Sequence, residues 1–140
     1  MSPCGTLAPV RDELREALEL EQRWRIHPEL ARRLALTMVA FRSRTATGIA
    51  VISGYRSSAE QAALRRQGRP AARDDLSTHR VCPATGADVQ INGLADKNRK
   101  WIFGELAMLN GLRWGGGSPR DEEGFPSDWN HVDLGPRAPP

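Results

Sequence analysis

The chain has 140 residues, a length typical of a single domain. Hydrophobic residues make up 39% and charged residues 26%, which is too apolar for a disordered tail and too polar for a membrane-embedded protein. No apolar stretch approaches the ~20 residues of a transmembrane helix. The first residues show no basic segment followed by an apolar one, so we expect neither a secretory signal nor membrane insertion.

The net charge of +3 is unevenly distributed along the chain. The first 80 residues carry an excess of basic side chains, whereas residues 81–140 carry a small acidic excess. A basic segment suits a polyanionic partner such as nucleic acid or an acidic cell-wall polymer. The arginines are spread over amphipathic segments rather than clustered, so we expect no specific nucleic-acid partner. The two cysteines, Cys4 and Cys82, are too few for a disulfide framework, although a single bridge between them stays open.

Helical periodicity dominates the first third of the chain. One helix is predicted over residues 9–20, with an apolar stripe formed by Val10, Leu14, Ala17 and Leu18. A second helix is predicted to begin at Pro28, to be capped by His27, and to end within residues 45–48.

The middle of the chain alternates between strand and helix signals. The β-branched run over residues 49–52 predicts a buried strand. Ser57, with Glu60 three residues later, is typical of a helix start, and the turn residues at 68–70 end that helix. Residues 69–87 are predicted to be a loop, and the alternation of Val89 and Ile91 predicts a strand that follows Asp88.

The C-terminal part contains one more helix and one more strand. Residues 101–109 predict a helix that ends near Gly111, with an inward stripe of Ile102, Leu106 and Leu109. A glycine-rich stretch from residue 115 leads to a final strand over residues 130–134. This order predicts an α+β fold in one domain over residues 1–140, with N-terminal helices in 1–48, the chemistry in 49–135 and a frayed tail in 136–140.

Two of the three histidines have unusual neighbours. His79 is followed nine residues later by Asp88, and His131 lies on the final predicted strand. Two imidazoles and a carboxylate form a ligand set used by catalytic zinc, which keeps a fourth position for water. Asp128, three residues before His131, is placed to act on that water as a general base. Asp133 either orients a ligand or faces solvent at a strand edge.

Spacing alone leaves a purely structural role for these residues open, but the order of the surrounding segments is informative. In chain order the segments are Ser53-Gly54-Tyr55-Arg56-Ser57, Glu60-Gln61, Ser77-Thr78-His79, Gly86-Ala87-Asp88-Val89, Gly111-Leu112-Arg113-Trp114-Gly115-Gly116 and Asp128-Trp129-Asn130-His131-Val132-Asp133-Leu134. This order resembles the zinc D-alanyl-D-alanine carboxypeptidase family (peptidase family M15), which includes small phage endolysins that cleave L-alanyl-D-glutamate bonds. The resemblance covers about residues 50–135, and residues 53–57 and 131–134 are its most specific parts.

The resemblance implies a fold, an activity and residue roles. It implies a small antiparallel sheet with flanking helices, of the Hedgehog and DD-peptidase type. Zinc would be held by His79, Asp88 and His131, with Asp128 as the general base. Arg56 would bind a substrate carboxylate or stabilise the oxyanion, for which a bidentate guanidinium is suited.

The implied activity is that of a monomeric L-alanyl-D-glutamate endopeptidase acting on peptidoglycan stem peptides. We expect synthesis in the cytoplasm and action at the cell wall, as for a phage lysin or a virion component. Two alternatives stay open. One is a D-alanyl-D-alanine carboxypeptidase or dipeptidase of the same fold, and the other is a non-enzymatic basic binding module.

One feature departs from the family pattern. The family places its metal-binding aspartate seven residues after the first histidine, whereas Asp88 follows His79 by nine. A two-residue insertion around residues 81–83 accounts for this interval. The insertion places Cys82 near the expected metal, where we interpret it as a bystander because catalytic zinc needs an open position.

Overall fold

A computed structural model describes residues 8–55, 58–67, 83–93, 96–115, 126 and 128–135. The elements in this part of the chain are α1 (Ala8–Trp24), α2 (Pro28–Thr45), β1 (Ile49–Ser53), α3 (Ser58–Arg66), β2 (Gly86–Ile91), α4 (Lys97–Leu109), β3 (Arg113–Trp114) and β4 (His131–Asp133). The α+β prediction is therefore confirmed. Within these elements, no helix is both long and apolar enough to cross a bilayer.

Several sequence predictions fall outside the described residues. They are the inward direction of the Val10 side chain, the cap at Ser57, the helix stop at 68–70, most of the loop over 69–87, the pairing of Cys4 with Cys82, the turn-rich stretch over 116–125 and the tail over 136–140.

Helix α1 is longer than predicted and turns a different face to the core. The predicted stripe is wrong for Leu14 and Leu18, which are exposed, whereas Ala17 and Leu20 are buried. The helix continues to Trp24, whose side chain packs against the core. Ala17, Leu20 and Trp24 follow helical spacing and form one face of the helix. Packing against α2 buries this face rather than the one that carries Leu14 and Leu18.

Helix α2 is the central helix, and its predicted boundaries are confirmed. The Nδ1 atom of His27 accepts a hydrogen bond from the Glu29 backbone N–H at 3.0 Å, and Pro28 occupies the first turn. The helix ends at Ala46, which adopts the left-handed conformation. Its buried side is formed by Leu30, Ala31, Leu34, Ala35, Thr37, Met38 and Phe41.

The strands form a four-stranded antiparallel sheet in the order β1-β2-β4-β3. Strand β1 is an edge strand with only one buried side, because Ile49 and Val51 are buried and Ile52 is exposed. The predicted strand is therefore present, but it is buried on one side only. Strand β2 begins at Gly86, so Asp88 lies inside the strand rather than before it.

Helix α4 begins at Lys97, before the predicted start at residue 101. Asp96 caps it by accepting a hydrogen bond from the Arg99 backbone N–H at 2.8 Å. Leu109, predicted to face inward, is 79% exposed, and Phe103 is buried instead. Near the helix end, Gly111 has a φ of +78°, a conformation that favours glycine.

The core lies between the helices and one face of the sheet. Helices α2 and α4 cover this face of the sheet. Three strands contribute its buried side chains, which are Ile49, Val51, Ala87, Val89, Ile91 and Val132. At the far edge of the sheet, the indole of Trp114 lies against Gly104 of α4, where a Cβ would come within 2.6 Å of the ring. The apolar side chains thus use one face of the sheet, which leaves the other face for polar side chains.

Candidate functional site

Three carboxyl or imidazole side chains meet on the face of the sheet opposite the core. Successive side chains of a strand point to opposite faces. Ala87 and Val132 are buried on the core face, and their neighbours Asp88, His131 and Asp133 therefore share the opposite face. Asp88 and His131 lie directly across from each other in the antiparallel pairing of β2 with β4.

An irregularity in β1 brings a further polar residue to this place. The register of β1 against β2 shifts between Val51 and Ser53, so that Ser53 pairs with Asp88. Such a bulge changes the side of the strand on which the following residue falls. Ser53 is thereby placed next to Asp88. This pairing brings together two of the segments that carried the family resemblance, residues 53–57 and 86–89.

The imidazole of His131 is held between two carboxylates. Its Nδ1 lies 2.9 Å from Asp88 Oδ1, and its Nε2 lies 2.8 Å from Asp133 Oδ2. Burial by itself would lower the pKa of His131. The hydrogen bonds to Asp133 and Asp88, together with the negative charges of Asp88 and Asp128, outweigh burial and raise that pKa to about 9.

Asp133 anchors the imidazole through its Nε2 atom. It is 2% exposed and accepts hydrogen bonds from Arg113 Nε at 2.8 Å, Arg113 Nη2 at 2.9 Å and the Gly135 backbone N–H at 2.7 Å. Burial would raise the pKa of Asp133, but the bonds to His131 and Arg113 lower it to about 2. Of the two roles left open for Asp133, the structure supports the orienting one.

Arg113 is a residue of the site whose role sequence analysis missed. It pairs directly with Asp133 across β3 and β4. Strand β3 is only two residues long, too short for a periodic signal in the sequence. The contact depends on the β3–β4 register, which no local pattern around Arg113 indicates.

Asp128 lies in the turn that leads into β4. The backbone N–H of His131 donates to the Asp128 carbonyl at 3.1 Å. Gly115 packs against the same carbonyl, because a Cβ on that glycine would lie 2.0 Å from the oxygen. The backbone of Asp128 is therefore fixed beside the imidazole, while the residue itself is exposed to solvent.

The structure brings together Asp88, His131 and Asp128 of the five predicted site residues. Arg56 and His79 lie outside the described residues. Within the described segments, no group of three or more histidine, cysteine, aspartate or glutamate side chains is arranged to hold a metal ion.

The described pair has the chemistry of two zinc ligands, a carboxylate and an imidazole on paired strands. Two ligands about 2.0–2.2 Å from one tetrahedral zinc lie roughly 3.3 Å apart. Asp88 Oδ1 and His131 Nδ1 lie 2.9 Å apart in a hydrogen bond, so the two atoms would have to separate slightly to share an ion. Zinc-binding histidines also place their second nitrogen against a carboxylate, as Nε2 of His131 does against Asp133.

Comparison with known proteins gives a fold but no sequence relative. No family model and no curated protein matches the chain. The solved structure of the L-Ala D-Glu endopeptidase ChiX from Serratia marcescens superposes with a TM-score of 0.59, over 91% of this chain and 94% of that chain. The chain has the ChiX fold. Sequence identity to ChiX is 18%, so the likeness concerns the backbone architecture, and membership of family M15 stays a prediction.

Proposed function

We propose that this chain is a peptidase that cleaves the L-Ala–D-Glu bond of peptidoglycan stem peptides. The observation that carries the proposal is the imidazole of His131 held between Asp88 and Asp133, on the face of the sheet opposite the core, in a chain with the backbone architecture of ChiX. Among enzymes of the proposed kind, the likeness to ChiX, an L-Ala D-Glu endopeptidase, favours the L-Ala–D-Glu bond over a D-Ala–D-Ala bond.

The proposal includes a zinc ion held by His79, Asp88 and His131. Asp133 engages Nε2 of His131, which leaves Nδ1, the nitrogen beside Asp88, as the one that would hold the ion. When bound, zinc supplies a Lewis acid and a water of lowered pKa. The role of the buried Asp133, itself bound by Arg113, is to hold the imidazole in one orientation and one tautomer.

In this proposal Asp128 is the general base. Its carboxylate takes the proton of the attacking water and later returns it to the leaving amine. Arg56 binds a substrate carboxylate or stabilises the oxyanion. The chain that leads to Arg56 is anchored, because the Tyr55 backbone N–H donates to the Trp24 carbonyl at 2.9 Å and Gly54 packs closely against the same carbonyl.

We further propose that the protein acts as a monomer on the cell wall after synthesis in the cytoplasm. The basic first 80 residues suit adsorption to an acidic wall polymer. This electrostatic attraction is screened by salt, so wall binding is expected to weaken as ionic strength rises.

The test combines metal analysis with mass spectrometry of digested peptidoglycan. We expect one zinc per chain after mild dialysis, and stem peptides cut between L-Ala and D-Glu. His79→Ala and His131→Ala should lose zinc and activity together. His27→Ala is the matched control, because it removes a histidine whose described role is to cap α2; it should keep both.

Three results would contradict the proposal. Full activity without metal would remove zinc from the mechanism. Release of D-alanine alone would support a D-alanyl-D-alanine carboxypeptidase instead. A metal-free protein that binds DNA with a steep dependence on salt, and cuts no peptidoglycan, would support the binding module.

A further inference from the structure

Arg113 is anchored on one side and open on the other. Its side chain is 57% exposed, whereas the Asp133 side chain that it contacts is 2% exposed. Nε and Nη2 each donate one hydrogen bond to Asp133. A guanidinium has five N–H donors, so three remain. In the part of the chain that the structure describes, these three donate to no protein acceptor.

Arg113 lies on the same face of the sheet as the proposed site, because it pairs with Asp133 in the β3–β4 register and contacts its carboxylate. Arg113 Nη2 and His131 Nε2 both contact the same oxygen, Asp133 Oδ2, at 2.9 and 2.8 Å. The two nitrogens are therefore at most about 5.7 Å apart. The bidentate contact to a buried carboxylate also fixes the plane of the guanidinium, so little side-chain entropy remains to be lost on binding a ligand.

The substrate of the proposed reaction carries a group that matches these donors. A glutamyl residue has two carboxyl groups, and the continuing stem peptide uses one of them at most. The other is a free carboxylate on the residue that supplies the scissile amide nitrogen, and thus lies within a few bonds of the cleaved bond. A carboxylate accepts two parallel N–H bonds from an arginine, whereas a carboxamide presents one acceptor and one donor.

We propose that Arg113 binds the free carboxylate of the glutamyl residue beside the scissile bond, and that it makes the enzyme selective for glutamate over its amidated form. This inference rests on the proposed function. Arg113 thereby has two contacts of different kind: a buried one that holds Asp133, and an exposed one that recognises substrate.

The experiment uses two synthetic stem tripeptides that differ only in this group, free carboxylate in one and carboxamide in the other. The wild-type chain should cleave the carboxylate peptide with a kcat/KM at least tenfold higher. In Arg113→Gln this ratio should fall to within about twofold of one, with the loss mainly in KM for the carboxylate peptide. Arg113→Lys, which keeps the charge but not the fork, should give an intermediate ratio.

The ratio separates recognition from structure. A variant that only loosens Asp133 lowers cleavage of both peptides by the same factor, because both use the same imidazole. Arg99→Gln is the matched control, since Arg99 also contacts a carboxylate, that of Asp96 at 2.7 Å, but lies on α4; its ratio should equal that of the wild type. If Arg113→Gln does not fold, Arg113→Lys provides the test, and its ratio of kcat/KM for the two peptides should lie below that of the wild type.

Equal cleavage of the two peptides by the wild type would overturn the role of Arg113 and leave the proposed function intact. An unchanged ratio in the Arg113 variants would do the same. Cleavage of neither peptide by zinc-loaded wild type would overturn the proposed function, and the inference that rests on it.

Discussion

Replacement of Asp133 by asparagine tests the central contact of the site with minimal change of shape. The carboxylate accepts four hydrogen bonds, two from Arg113, one from the Gly135 backbone and one from His131. In Asp133→Asn, the remaining oxygen still accepts from Arg113 Nε and from Gly135. The introduced amide nitrogen is a donor, and it faces Arg113 Nη2 and His131 Nε2, which donate to that position in the wild type.

The expected cost follows from the two bonds that are lost. Each is a hydrogen bond between charged groups, worth about 1.5–3 kcal/mol. Arg113 is half-exposed and recovers part of its share from water, so we expect the free energy of unfolding of the metal-free protein to fall by about 2–4 kcal/mol. The new donor at Nε2 also favours the tautomer that carries its proton on Nδ1. Zinc affinity should therefore fall by about 10–100-fold.

Urea unfolding followed by tryptophan fluorescence measures the first effect, and competition with a chelator measures the second. With a denaturant slope of about 1–3 kcal/mol per molar, the midpoint should move down by roughly 0.7–4 M. Glu105→Gln is the control: it removes an exposed carboxylate of α4 outside the site, and its unfolding free energy should stay within about 0.5 kcal/mol of the wild type. If the midpoint and the zinc affinity of Asp133→Asn both match those of the wild type, Asp133 does not hold the imidazole.

Three further substitutions test separate parts of the structure. Asp128→Asn should keep zinc and lose about 10²–10⁴-fold in turnover, and a loss below tenfold would exclude it as the base. Gly104→Ala should lower the melting temperature, because overpacking against Trp114 costs about 1–3 kcal/mol. That cost exceeds the gain in helix propensity from glycine to alanine. An unchanged melting temperature would contradict the contact between Gly104 and Trp114. Hydrogen bonds to two arginines lower the pKa of Glu29 from 4.5 to about 2, so its stabilising contribution is present above pH 4.5 and lost as the pH falls through 2. Glu29→Gln should therefore lower the free energy of unfolding by about 0.5–1 kcal/mol at pH 7, a small loss because solvent screens this partly exposed cluster. At pH 2 the substitution should change it by almost nothing, and urea unfolding at both pH values measures the difference.

The elements that sequence analysis predicted best are those whose ends are set by local chemistry. The His27–Pro28 pair marks the start of α2, and its side-chain cap forms within two residues. The end of α4 near Gly111 follows from a positive φ that glycine adopts without strain. Such signals need no distant partner, so they survive in any fold that contains the helix.

The direction of apolar faces was predicted less well. Leu14, Leu18 and Leu109 follow helical spacing but are exposed, whereas Leu20 and Phe103 are buried. A helix with apolar residues on more than one side has more than one face that can be buried. The element that packs against it decides between them, and that contact is tertiary.

The sequence by itself determined which residue types could carry the chemistry, because Asp88, Asp128 and His131 stand out through the segments around them. Only the tertiary structure decided how they are supported. Asp133 could have faced solvent, and Arg113 showed no local signal; their contact exists because β3 pairs with β4 in one register. Hydrogen bonding between strands joins residues distant along the chain, and a shift of one residue in β4 would turn Asp133 away from Arg113 and His131 away from Asp88.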